Sequence, residues 1–249
     1  MLEINGVTKT FAGVRALADV HITVHEGEFA SVIGPNGSGK TTLFNCVTGF
    51  MRPDSGTVLF QGRDVTGMQP FKIARLGMAR TFQSVRLFAE LSVLDNLLAA
   101  IQEYQHDLSI GRLIRSSGVR RNEAVARRRA MEMLDLVHLA GFEGARAGAL
   151  SYGQRKLLSI AVALMSRPKL VLLDEPTAAV NPTVIVSIRD LLRRFNEDGQ
   201  TFLLIEHNME FVMTLSRTVT VLDAGQVIAA GSPAEVRSDR RVLEAYLGG

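Results

Sequence analysis

Cysteine occurs once in these 249 residues, at Cys46. That excludes an intramolecular disulfide and any metal site built on several cysteines. Its neighbours Leu43, Phe44 and Val47 read as the apolar side of a short helix, where a lone cysteine is a buried structural thiol. No apolar run reaches the roughly 18 uninterrupted residues that a membrane-spanning helix requires. The opening Met1-Leu2-Glu3-Ile4 lacks a basic segment followed by an apolar one. No signal peptide is expected, and the chain is expected to be cytoplasmic and soluble by itself, which still permits docking on a membrane protein. Charge of one sign is scarce as well. Against 25 Asp and Glu stand 28 Lys and Arg, a net charge of +3, too small an excess to argue for a nucleic-acid partner without a concentrated patch. There is no internal repeat and no long coiled-coil insertion. With 47% apolar and 21% charged residues and its seven prolines dispersed, the chain is a folded globular protein. It is long enough to bury a sizeable core as one large domain or two closely joined lobes.

The most informative segment present is Gly34-Pro35-Asn36-Gly37-Ser38-Gly39-Lys40-Thr41-Thr42. It follows the apolar run Phe29-Ala30-Ser31-Val32-Ile33 and precedes Leu43-Phe44-Asn45-Cys46-Val47, where a strand should hand over to a helix. The pattern G-x-x-x-x-G-K-T in that context is a phosphate cradle. Backbone amides around the glycines point inward, Lys40 reaches the β- and γ-phosphates, and the Thr41 hydroxyl is suited to Mg²⁺. The alternative is a glycine-rich turn that merely caps a helix.

Around the cradle the chain alternates strands and turns. Residues 2–7, 19–24 and 57–60 read as strands, with the turn Pro53-Asp54-Ser55-Gly56 before the last, so the opening predicts a mixed sheet with antiparallel strands near its edge. From about Phe88 to Ser166 the pattern is helical: Leu91, Leu94, Leu97, Leu98 and Ile101 share one spacing, and Met131, Leu134, Val137 and His138 another. Between them lies a basic stretch with Arg112, Arg115, Arg120, Arg121, Arg127, Arg128 and Arg129. Interrupted by Glu123 and without interleaved aromatics, it reads as a solvated helical face or a partner surface rather than a nucleic-acid surface. The last third returns to α/β alternation, with strands over 170–173, 201–205, 219–222 and 226–229 and a helix over 183–195. Ser232-Pro233-Ala234-Glu235 combines a capping box with proline at the first helical position. The expected organisation is an α/β core over 1–87 and 167–249 with a helical lobe over 88–166.

Several groups could carry chemistry beside the cradle. The apolar strand Leu170-Val171-Leu172-Leu173 ends in Asp174 and Glu175. Asp174 is suited to water-mediated Mg²⁺ coordination, and Glu175 to polarising an attacking water. Strand 201–205 ends in Glu206-His207, and neutral His207 already has a donor for a γ-phosphate, unless it is a structural histidine. Gln83 has an amide oxygen for Mg²⁺ or water. Phe11 could stack on adenine or pack in the sheet. Leu150-Ser151-Tyr152-Gly153-Gln154 reads first as an S-x-x-Q capping box, whose helix N-terminus keeps inward-facing donors and could face the phosphates of a second molecule. Asn181-Pro182 reads as N-cap plus first-turn proline.

In this order the motifs resemble those of an ATP-binding cassette ATPase over essentially the whole chain. The resemblance implies an α/β P-loop NTPase core with an antiparallel β subdomain and an inserted helical subdomain, ATP and Mg²⁺ as cofactors, and hydrolysis shared between two cassettes closed head to tail. It implies nucleotide contacts from Asn36, Gly37, Ser38, Gly39, Lys40, Thr41 and Thr42, with Phe11 on adenine. Gln83 contacts the same site, and Ser151, Gly153 and Gln154 of the opposite cassette complete it. Thr41, Gln83 and Asp174 would hold the metal, and Glu175, His207 and Lys40 would be catalytic. Arg80-Thr81-Phe82-Gln83, Arg86-Leu87-Phe88, Leu91-Ser92-Val93, Ile205-Glu206-His207-Asn208-Met209 and the end Val242-Leu243-Glu244-Ala245-Tyr246-Leu247-Gly248 are similar to the ATPase subunits of bacterial branched-chain amino-acid importers. That group implies a second, often nonidentical ATPase, two membrane permeases, a periplasmic binding protein and a location on the inner face of the membrane, with no nucleic acid. Ala179-Val180 departs from the group's usual Gly-Leu before Asn-Pro, and alanine lacks glycine's tolerance for positive φ. The competing function is a soluble ATPase of the same type driving a clamp in DNA repair, translation or protein assembly.

Overall fold

The computed structural model describes residues 1–105 and 117–247, and the side chains of 102–122 and 247 are not among those described. Of the basic stretch, Arg112 and Arg115 therefore lie outside the described residues, as do the side chains of Arg120 and Arg121, and so does Gly248 of the terminal match. In chain order the elements are β1 (Leu2–Phe11), β2 (Val14–Val24), β3 (Phe29–Ile33), α1 (Lys40–Val47), β4 (Ser55–Phe60), β5 (Arg63–Asp64), α2 (Pro70–Arg75), β6 (Met78–Arg80), α3 (Val93–Gln105), α4 (Ser117–Leu136), α5 (Tyr152–Met165), β7 (Leu170–Asp174), α6 (Pro182–Glu197), β8 (Thr201–Ile205), α7 (Met209–Leu215), β9 (Thr218–Asp223), β10 (Gln226–Gly231), α8 (Pro233–Ser238) and α9 (Arg240–Leu247). They fall into two compact units.

The first unit comprises 1–80, 169–177 and 192–249 and carries both sheets. One is four-stranded and antiparallel, in the order β2-β1-β4-β5. The other is six-stranded, in the order β10-β9-β3-β8-β7-β6, and is parallel except for β10. Its central strands β3, β7 and β8 are buried at every position, which is why they read as continuous apolar runs and not as an alternation. The hairpin between β9 and β10 turns on Ala224 (φ 42°) and Gly225 (φ 80°), both left-handed as a two-residue turn of this kind demands. The core cluster takes Leu2, Val20, Val58 and Phe60 from the antiparallel sheet together with Phe44 of α1 and Leu172 and Leu203 of the parallel one.

The second unit comprises 81–168 and 178–191 and is helical. It is discontinuous in sequence, and the first turns of α6 belong to it. A Cβ added at Gly153 would stand 2.8 Å from Cγ2 of Val184, so α5 and the start of α6 approach as closely as a glycine allows. The apolar face of α4 runs through Ala130, Met133 and Leu134 to Val137 just past its end. This corrects the spacing read from Met131, which is only half-buried, and His138, which has left the helix with φ 56°.

Cys46 is 1% exposed on α1, and burial pushes its thiol up to about 11, with Lys9 opposing. At pH 8 the native thiol should react with iodoacetamide about 100-fold more slowly than in the urea-unfolded chain, a ratio that timed labelling and mass spectrometry read directly. Equal rates would place Cys46 at the surface.

Candidate functional site

β3 delivers the chain to the cradle. A Cβ at Gly34 (φ 149°) would run into the carbonyl of Leu222, and one at Gly39 (φ 104°) into that of Ala16. These two glycines are thus required by neighbouring backbone. Gly39 sits at the N-cap of α1 and no side chain caps that helix, whereas Ser151, Asn208 and Ser232 cap α5, α7 and α8. The first amides of a helix have no partner within it, so those of α1 are left for an anion. Lys40 is 6% exposed, and its ammonium donates to the carbonyls of Gly34 and Pro35 at 2.9 Å each and toward Oγ of Ser38 at 3.4 Å. Burial pushes its pKa down, and the charges of Glu175 and then Asp174 oppose that shift. An anion laid on the helix would supply the countercharge. Ser38 is buried, Thr42 half-buried, and Asn36, Gly37 and Thr41 are exposed along the loop and first turn.

Two strands away in the same sheet, β7 ends in Asp174, whose side chain is 7% exposed. Nη2 of Arg80 donates to its Oδ2 at 2.9 Å. Nη1 of the same guanidinium donates to Oδ1 of Asn45 at 2.8 Å and Oγ1 of Thr48 at 3.0 Å, and the group lies 5.6 Å from the Phe44 ring centre. Arg80 at the end of β6 therefore ties the cradle helix to the Asp174 strand. The next residue, Glu175, takes φ 46°, turning its carboxylate out of the strand alternation, while its N–H still donates to Ile205 O at 2.9 Å. Nε2 of His207 lies 2.7 Å from Oε1 of Glu175. A carboxylate only accepts, so this nitrogen carries the proton.

The loops after β7 and β8 are held by Glu206, 2% exposed. Its Oε1 accepts from N–H (2.8 Å) and Oγ1–H (2.6 Å) of Thr177, and its Oε2 from the N–H groups of His207 (2.8 Å) and Asn208 (3.1 Å). Arg80 and Glu206 tie candidate site residues together, and sequence reading left them as parts of longer matches. Their only signal is a charge beside an apolar strand that turns out to be buried.

Among the described residues no group of three or more His, Cys, Asp or Glu could hold a metal. A cation here would need other oxygens. Exposed Thr41, the Asp174 carboxylate and phosphate oxygens form the sort of set that suits Mg²⁺. Phe11, at the end of β1, is 42% exposed rather than packed in the sheet, with Nζ of Lys9 5.7 Å from its ring centre.

The remaining candidates lie in the helical unit. Ser151 and Gln154 form the expected capping box: Oγ of Ser151 accepts from Gln154 N–H at 3.3 Å, and Oε1 of Gln154 from Ser151 N–H at 2.9 Å. Gln83 borders a cavity of about 400 Å³ with Val85, Tyr152, Arg155 and Ala179. Ala179 has φ 59°, the conformation that the usual glycine enters freely and that costs alanine about 1 kcal/mol. Oδ1 of Asn181 accepts from Val184 N–H at 2.9 Å, so the N-cap reading holds.

Against known proteins, residues 17–178 match the family model described as ABC transporter, and residues 226–249 the one described as Branched-chain amino acid ATP-binding cassette transporter. The high-affinity branched-chain amino acid transport ATP-binding protein BraF of Pseudomonas aeruginosa is 40% identical over 249 residues, which is 100% of this chain and 98% of that protein. Among solved structures, the ADP conformation of MJ1267, an ATP-binding cassette of an ABC transporter, superposes with a TM-score of 0.85 at 35% identity, covering 100% of this chain and 99% of that one. A dimeric post-hydrolysis state of the ATP-binding cassette MJ0796, bound to ADP and Pi, gives a TM-score of 0.78 at 29% identity, with 94% and 99% covered.

Replacing Arg80 by Met leaves the buried Asp174 carboxylate without this guanidinium, and should cost about 3–5 kcal/mol in urea unfolding at pH 7. The double variant R80M/D174N should recover at least half of that loss. A double variant as unstable as the sum of the two single ones would mean that the pair does not interact.

Proposed function

The chain belongs to the ATP-binding cassette transporter family, and on that premise we propose that it is the ATP-hydrolysing, energy-coupling subunit of a bacterial importer for branched-chain or related amino acids. The observation that supports hydrolysis most directly is the alignment of Lys40, His207 and the pair Asp174-Glu175 at the carboxyl ends of β3, β8 and β7, neighbours in one parallel sheet. Ligands of open α/β sheets bind at that edge. The match of the last 24 residues to the branched-chain model, and the end-to-end likeness to BraF, support the cargo class.

In this reading the amides at the start of α1, with Asn36, Gly37, Ser38, Gly39, Thr41 and Thr42, hold the triphosphate of ATP, and Phe11 stacks on the adenine. Lys40 exchanges its carbonyl partners for β- and γ-phosphate oxygens. Thr41, Gln83 and Asp174 would hold Mg²⁺, which when bound neutralises phosphate charge. The Arg80 guanidinium keeps Oδ2 of Asp174 fixed. Glu175 accepts the proton of the water that attacks the γ-phosphorus as the bond from that phosphorus to the β–γ bridging oxygen breaks, leaving ADP and inorganic phosphate. His207, donating to Oε1 of Glu175, holds that carboxylate in one orientation, and is placed to turn its donor to the γ-phosphate. A second cassette, a nonidentical partner or in isolation another copy, would complete the site with its own Ser151, Gly153 and Gln154. Two integral-membrane permeases and a periplasmic binding protein would make up the transporter. Among the described residues no helix is long and apolar enough to cross a membrane. Attachment to the inner face of the membrane would therefore run through the permeases.

Glu175→Gln should lower the ATPase kcat of the assembled complex by about 10²–10⁴-fold. ATP affinity should stay within about threefold, because the amide keeps the shape and loses the basicity. Phosphate release and nucleotide binding measured on the same preparation separate the two. Parent-like turnover in Glu175→Gln would remove the carboxylate from the reaction. With the binding protein present, leucine, isoleucine or valine should stimulate ATPase activity and vesicle uptake. Solute-independent ATPase without uptake across a broad amino-acid panel would contradict the importer assignment.

A further inference from the structure

Lys156 is 2% exposed, at the edge of the buried face of α5 that Leu157, Ile160, Ala161 and Leu164 make. An ammonium in such surroundings is costly to desolvate, and a leucine or methionine would fill the same space without that cost. The lysine supplies what they could not. Its Nζ donates to the main-chain carbonyl of Gln83 at 3.0 Å. Gln83 lies in no helix or strand. Lys156 stands five positions beyond the N-cap Ser151, about 7.5 Å along the axis. The same short helix therefore presents Ser151 at one end and grips Gln83 one and a half turns later.

We propose that Lys156 is a positioning residue for Gln83: its buried ammonium locks the backbone of Gln83 to α5, so that Gln83 and the Ser151–Gln154 cap shift as one body. This rests on the reading above, in which Gln83 reaches Mg²⁺ of its own ATP and Ser151 meets the ATP of the opposite cassette. Lys156 then couples the two. Closure of a partner's site onto Ser151 also sets Gln83, and loss of the lysine uncouples them while leaving both segments present.

The test uses the purified full-length chain and the variants K156M, K156R, Q83A and K156M/Q83A. Three quantities are read: the Mg²⁺ concentration for half-maximal binding of a fluorescent ATP analogue, hydrogen exchange of amides 82–86, and the melting temperature. K156M should raise the Mg²⁺ requirement about tenfold, the size of effect expected for a group that orients a metal ligand. It should also speed exchange at 82–86 while leaving exchange in α1 unchanged. K156R, which keeps a donor, should restore both to within about twofold of the parent. Q83A should raise the Mg²⁺ requirement as much as K156M, and the double variant no further. A K156M chain that melts lower but keeps the parent's Mg²⁺ requirement and exchange would overturn the inference and leave Lys156 as packing. Should K156M not fold, K156Q, whose shorter amide cannot span the distance, carries the same comparison. If Q83A itself leaves the Mg²⁺ requirement unchanged, the metal role of Gln83 falls, and the coupling to Mg²⁺ falls with it. Faster exchange at 82–86 in K156M would still support the backbone lock.

Discussion

The first turn of α1 has no side-chain cap, and much of the first unit is arranged around that fact. Helices α5, α7 and α8 start instead on capping boxes at Ser151 and Ser232 and an Asn208 cap, while α2, equally without a side-chain cap, starts on Pro70. At Gly39 the chain places a residue with no side chain, left-handed and pressed against the backbone of Ala16. The amides that a cap would satisfy are open to a ligand, and among the described residues the close hydrogen-bond partners of buried Lys40 are main-chain carbonyls and a serine hydroxyl. Both features are unfavourable for the protein alone. Both are relieved by one anion, and a phosphate fits the helix terminus, the ammonium and the glycine-lined approach together.

Holding acidic groups next to such a site requires cations and donors that do not compete with the ligand. The chain meets this with buried side chains outside the motifs. Arg80 divides its guanidinium between Asp174 and the cradle helix, and Glu206 collects four donors from the loops that carry Glu175 and His207. In the helical unit Lys156 does the corresponding work for Gln83. These charges are retained inside the protein because their partners are backbone or other side chains of the site, where apolar residues would leave the reacting groups free to rotate.

The sequence was most readable where one physical signal dominated. Strands β3 and β8 were bounded to the residue, because apolar runs flanked by turn residues leave little choice. The caps at Ser151, Asn181 and Ser232 were legible for the same reason: their hydrogen bonds are local. β6 was missed, since three residues are too few to show a period and its strand character comes from pairing with β7. The face of α4 was misread by a residue or two because Met131 and Met133 look alike in sequence and burial separates them. Arg80, Glu206 and Lys156 could not be told from surface charges, for their meaning lies in contacts 29 to 94 residues away. Local chemistry was therefore visible, and the long-range ties that position it were not.

The central claim is that Lys40 and the uncapped start of α1 form one anion site for the phosphates of ATP. Calorimetric titration of Mg-ATP into the purified chain, compared with Lys40→Ala, tests it most directly. The parent should bind saturably, and removing the ammonium should lose at least about tenfold in affinity, the weight of a charge-assisted contact. Equal affinity in the two proteins would contradict it.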